Sequence, residues 1–135
     1  MDNIGFNVIT NEHYKWVNNN MVCLGPNDYD QVIWNHQHLF IRFPFGINGL
    51  YSEPISYTND NGHFTLHNLL DIIQTYYSHN ISDNLFELIK QNIDNFADIE
   101  NDNIVTIMDL LDYCNMCFYD SFIIDNGVGI LHLGS

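Results

Sequence analysis

Basic side chains are nearly missing from this sequence: Lys15, Arg42 and Lys90 stand against 17 acids and leave a formal charge of −14. A surface so charged repels phosphate backbones and anionic lipid headgroups, which disfavours direct binding of nucleic acid or of a membrane surface. It favours basic partners, met quickly and in a salt-dependent way. Long apolar runs are missing too. Nothing approaches the roughly 18 residues of a membrane span, and the opening MDNIGFNVITNEH has neither a basic nor an apolar signal region, so a secreted or membrane-embedded protein is not expected. Cysteine is scarce. Cys23, Cys114 and Cys117 make an odd number that suits reduced thiols in a cytosol-like compartment better than a disulfide framework. A Walker A loop, a GxGxxG turn, a GxSxG elbow and an EF-hand calcium loop are absent, as are internal repeats, and no cofactor is expected.

Apolar residues, by contrast, are plentiful at 46% of 135, enough for one core in a single α+β domain over residues 1–135. The organising stretch is FTLHNLLDIIQTYYSH, residues 64–79. At helical spacing Leu66, Leu69, Leu70, Ile73, Tyr76 and Tyr77 share one face, while His67, Asp71, Gln74 and Ser78 share the wet one. Thr65 is placed to cap the first turn by accepting from a backbone N–H near Asn68, and Asn61-Gly62 marks a turn just before it. Ser82 caps a second helix, with Leu85, Leu88, Ile89, Ile93 and Phe96 inward, which the short connection should pack antiparallel to the first. Residues 98–103 form an acidic loop, and Thr106 with Asp109 makes a capping box for a third helix that buries Ile107, Leu110, Leu111 and Cys114.

The flanks are predicted to be sheet. Residues 4–10 and 14–24 pattern as strands, the latter a hairpin turning at Asn18 to Asn20; Gly25-Pro26-Asn27-Asp28 then breaks the chain. Val32–Phe43 is a long β-rich run with apolar ends and a polar middle on both faces, expected as one strand or hairpin arm. Pro44 should end central pairing, and Asn48-Gly49 should turn the chain back along Leu50–Tyr57. At the far end Asn126-Gly127 signals a type I′ hairpin that pairs Ile124 with Gly129 and Phe122 with Leu131. The resulting fold is N-terminal antiparallel hairpins, two to three central helices and a C-terminal hairpin around a single core.

Few residues group into recognisable chemistry. His36-x-His38 projects two imidazoles from one strand face and is the best metal candidate, but zinc needs three or four convergent ligands, and His13, His63, His67, His79 and His132 would have to supply the rest. Paired surface histidines are the more economical reading. His63 and His67 are four apart, yet a cap at Thr65 leaves His63 outside the helix. Cys114-x-x-Cys117 has redox or half-zinc spacing without a second pair, and Cys114 falls on an apolar stripe. Asp109 with Asp112, and Asp28 with Asp30, are acid pairs that capping and solvation explain. Trp16 and Trp34 offer either a stacking platform or core packing.

The run GHFTLHNLLDIIQTYY, the short helix after it and the ending LHLGS together resemble a family of small uncharacterised proteins encoded by giant DNA viruses of amoebae. The matching positions are Gly62, Phe64 and Thr65 at the helix start and Leu133, Gly134 and Ser135 at the end, about the C-terminal half of the chain. The chain departs from that family's Phe-rich, Glu-Gly segment, where it carries CFYDSFIIDNG. The resemblance implies a viral origin, hence the host cytoplasm or the virion, and a fold unit without an activity. The functional expectation is a non-enzymatic interaction or structural protein that meets a protein partner or its own copy through Trp34, Phe40, Phe43, Phe45 and Tyr51, because dense aromatic surface anchors interfaces. Two alternatives are an acidic decoy for basic nucleic-acid-binding proteins and a metal-binding protein or enzyme built on His36 and His38.

Overall fold

A computed structural model describes residues 4–7, 12–47, 49–92, 103–114 and 118–134. Local turn chemistry sets its edges. Asn18 and Asn19 both take positive φ, 51° and 66°, and fold β2 (Glu12–Val17) onto β3 (Asn20–Cys23), with β1 (Ile4–Asn7) antiparallel on the other side of β2. At the other end Asn126 (φ 53°) and Gly127 (φ 77°) form the expected I′ turn between β8 (Phe118–Asp125) and β9 (Val128–Gly134). The register pairs Ile124 with Gly129 and Phe122 with Leu131, as the turn predicts.

These hairpins join in a seven-stranded sheet of order β3-β2-β1-β8-β9-β5-β6. Strands β5 (His38–Arg42) and β6 (Ile55–Thr58) are antiparallel, and β9 runs parallel to β5. The long run Val32–Phe43 is not one strand. It splits at Asn35–Gln37 into β4 (Val32–Trp34), which pairs with β7 (Phe64–Thr65) in a separate two-stranded sheet, and β5 in the large one. The polar middle marks the bend, which the Trp34 indole closes by donating from Nε1 to the His38 carbonyl at 2.7 Å. Gly25-Pro26 is a helix start as well as a break: α1 (Pro26–Tyr29) is a single turn.

Helix α2 (Leu66–Tyr77) begins where its cap places it. The Thr65 hydroxyl accepts from the Asn68 N–H at 3.2 Å, and the Asn68 side chain accepts from the Thr65 N–H at 2.8 Å. Leu66, Leu69, Leu70, Ile73 and Tyr77 are buried; Tyr76 is half-buried. Helix α3 (Asp83–Asn92) adds Leu85 and Ile89 to the same core, while Leu88, expected inside, is exposed; Ile93 and Phe96 lie outside the described residues. Helix α4 (Ile107–Tyr113) has the predicted Thr106–Asp109 capping box and buries Ile107, Leu110 and Leu111. Its start is tied to the end of α2 by the Asn80–Thr106 bridge and by the Ile107 N–H donating to the His79 carbonyl at 3.0 Å. Helix α2 meets α1 and α4 to a similar extent and touches the neighbouring α3 less than either.

All four described helices contribute to an α+β fold with one core, into which the sheet sends Leu39, Ile41, Phe43, Phe122 and Leu131. No helix among the described residues is long and apolar enough to cross a membrane. Tyr77 is the one tyrosine among the described core residues, and half-buried Tyr76 packs against it. The Tyr77 hydroxyl donates to the Pro44 carbonyl at 2.8 Å, and burial pushes its phenol well above the usual value while Tyr76 is pushed up to about 12. Unfolded, both would ionise near pH ~10. Their raised values mean that the unfolded state sheds protons first, so their contribution is intact below pH ~10 and is lost as pH rises through 10 to 12. An alkaline titration is expected to show a fraction of the phenolate absorbance appearing only together with loss of circular dichroism.

Candidate functional site

Pairing and alternation sort the sheet residues onto two faces. The inner face carries Leu39, Ile41, Phe43, Phe122 and Leu131 toward the core, and His13 and Lys15 toward α1: His13 Nδ1 lies 3.0 Å from the Tyr29 hydroxyl and Lys15 Nζ is 2.9 Å from Asp28. The outer face carries Tyr14, Trp16, Met21, Ile123, Val128, Ile130, Phe40 and Arg42, alternate to those inward positions. Four of them are large apolar groups left in water: Phe40 is 44% exposed, Trp16 48%, Ile123 55% and Met21 60%. Phe40 pairs with Val128, Arg42 with Ile130, and Ile130 with Ile123, so these side chains are neighbours across three strands. Beside them the Arg42 guanidinium lies 5.5 Å from the Tyr51 ring centre, and the Tyr51 hydroxyl is 3.4 Å from His132 Nδ1. The strand acids share this face, and Asp125 pairs with Val128 next to Phe40. Of the 17 in the chain, pairing puts Glu12 and Asp125 on this face among the described strand side chains.

The five residues expected to make an exposed aromatic patch do not share one surface. Phe40 is exposed and Tyr51 half-buried at the outer face, but Phe43 and Phe45 are in the core. The reason is alternation: Phe43 and Phe45 continue the inward positions Leu39 and Ile41, opposite to Phe40, and lie under α2, where Tyr76 and Tyr77 receive the Phe43 ring at 3.9 Å and 5.8 Å. Trp34 is half-buried against the core, with His36 tilted over it at 4.8 Å. His38 Nδ1 contacts the Thr58 hydroxyl at 3.0 Å, and the described residues contain no group of three His, Cys, Asp or Glu side chains able to hold a metal. Burial raises the Cys114 thiol; Cys117 and Asn48 lie outside the described residues. Asp109 borders a small cavity of about 210 Å³ with Asp112, but its carboxylate is taken by the Thr106 N–H, and less strongly by the Val105 N–H, which hold it below the usual carboxylate range.

A second locus unites side chains that the sequence leaves scattered. Between β2, α1 and α2 lies a cavity of about 520 Å³, lined by His13, Tyr29, Asp30, His67, Asp71 and Gln74 over an apolar base of Pro26 and Leu70. The rings meet edge-on: Tyr29 is 5.7 Å from His13 and 6.3 Å from His67. One turn along α2, Asp71 Oδ2 sits 3.1 Å from His67 Nε2. Burial holds His13 below the usual imidazole value, opposed by the Asp71 charge and assisted by His67. Short α1 is pinned in place to form this wall. The Asp28 carboxylate takes the Gly25 N–H at 2.7 Å and the Lys15 ammonium at 2.9 Å, and these bonds, that from Lys15 foremost, keep its pKa low. The wet-face pair His67 and Asp71 was visible at i, i+4 on the expected helix; that His13 and Tyr29 join it was not. Against protein-family models, curated proteins and solved structures alike, the chain has no match.

Proposed function

We propose that the chain is a non-enzymatic interaction protein that works by self-association, two copies packing the outer faces of their large sheets together. The supporting observation is the concentration on one face of the exposed apolar groups Phe40, Ile123, Trp16 and Met21, with Arg42 and Tyr51 beside them. Copies that each carry −14 repel one another, so close approach has to be driven by this apolar area. Aromatic and aliphatic side chains standing off a twisted sheet interdigitate with a second sheet about 10 Å away, as in sandwich cores. Arg42 and His132 would sit at such an interface beside Tyr51, where Arg and Tyr are the residue types that anchor protein contacts.

The experiment is sedimentation of the full chain over a dilution series. Wild type is expected to run as a dimer at micromolar concentration and to tighten with added salt, which screens the mutual repulsion. Phe40→Lys and Ile123→Lys point into solvent in the single copy, so both should fold, keep the wild-type circular dichroism and sediment as monomers. A wild-type chain that stays monomeric throughout, or lysine variants that remain dimeric, would remove this reading.

A further inference from the structure

We propose that the cavity between β2, α1 and α2 binds a small organic ammonium ion, its charged nitrogen beside Asp30 and Asp71 and its apolar stem against Leu70 and Pro26. The cavity's volume of about 520 Å³ is in the range of small-molecule sites, and its composition is of the same kind: an apolar base with a few polar groups converging on it. The charge of the ligand follows from the walls. Two carboxylates line the space, Asp30 and Asp71, the latter shared with His67 Nε2 at 3.1 Å through one of its oxygens, and the chain as a whole carries −14, so an anion is repelled and a cation is drawn in from solution.

The three rings narrow the class further. Tyr29 meets His13 and His67 edge-on, at interplanar angles of 66° and 80°, so the rings stand at steep angles around one side of the space rather than stacking on one another. Of the three, the Tyr29 face attracts an alkylammonium through its quadrupole and tolerates the C–H groups next to the nitrogen, which a hydrated inorganic ion lacks. Tyr29 is held for this role by the contact of its hydroxyl with His13 Nδ1 at 3.0 Å. A divalent metal is a poorer fit, because the described residues provide no three-ligand group. Gln74 adds an amide oxygen that can accept from a primary ammonium. The site lies on the helix side of the sheet, away from the outer face, so its occupancy is independent of the self-association reading.

The test titrates the full chain with phenethylammonium, and separately with phenethyl alcohol and phenylacetate, following ring and amide resonances by NMR. Saturable binding of the ammonium is expected, with shifts at His13, Tyr29 and His67 and with the alcohol at least about tenfold weaker. Asp71→Asn should weaken the ammonium by about tenfold, whereas Asp83→Asn, which removes the same charge from exposed α3, should leave it unchanged. Tyr29→Leu keeps every charge and should also weaken it, which separates the ring from the general field. The proposal is overturned if the ammonium does not saturate, if the alcohol or the carboxylate binds as well, or if the Asp71 and Asp83 variants behave alike.

Discussion

Replacing Phe43 with alanine is expected to cost about 3–5 kcal/mol of folding free energy, the range for emptying a buried aromatic site. The position justifies the upper half of that range. The ring is fully buried, stacked on Tyr76 at 3.9 Å with planes 11° apart, and edge-on to Tyr77 at 5.8 Å and Tyr57 at 6.3 Å. Its backbone is fixed as well: the N–H donates to the Ser52 hydroxyl at 2.9 Å and the carbonyl accepts from the Ser52 N–H at 2.8 Å. Neighbours held on that many sides cannot close around the void, so both the lost burial and the cavity are felt. Phe40, three residues earlier on the outer face of β5, is the control; half in water, its alanine variant should lose less than ~1 kcal/mol in the single copy. Urea melts of the two variants below the dissociation concentration check the contrast, with the midpoint falling for Phe43→Ala and little changed for Phe40→Ala. Equal losses would mean that the two faces of β5 have been misassigned.

That contrast also shows what the sequence carries. Both phenylalanines sit in one β-rich run, and alternation there assigns Phe40 and Phe43 to opposite faces without saying which face is covered. The answer depends on where α2 lies, a non-local fact. Local signals fared differently, because their physics is complete within four residues: Thr65 and Thr106 cap the helices expected of them, and the positive φ of Asn18 and Asn126 turns the predicted hairpins. The split of Val32–Phe43 was hidden for the converse reason. No Gly or Pro interrupts it, and the bend is held by the Trp34 indole reaching the His38 carbonyl. The histidine cavity was least legible of all. His13, Tyr29 and His67 come from β2, α1 and α2, and each alone reads as a surface or half-buried residue; only the i, i+4 step from His67 to Asp71 is written locally.

Gly129 is where a local rule and a packing need separate most cleanly. It lies mid-strand in β9, where glycine weakens a sheet, and its φ is outside the left-handed region, so the backbone there would accept alanine. Space is what forbids it. A Cβ would stand 2.7 Å from Cε2 of Phe122, the diagonal neighbour whose ring lies over the glycine and fills the gap its missing side chain leaves. Phe122 is buried and its ring cannot swing clear without displacing the core, so Gly129→Ala is expected to cost about 2–3 kcal/mol, the upper part of the range for overpacking. If the collision with Phe122 is the cause, shrinking the partner must relieve it. The double variant Phe122→Leu, Gly129→Ala should then be more stable than the sum of the two single losses predicts, by at least ~0.5 kcal/mol in a double-mutant cycle. Gly127 provides the opposite case: its φ is +77° and nothing stands within 4 Å of its would-be Cβ, so Gly127→Ala should cost about 1–2 kcal/mol through backbone strain alone. That loss should be unmoved by Phe122→Leu. A Gly129→Ala penalty equally insensitive to Phe122 would show that the strand itself, and not the aromatic ring above it, demands glycine.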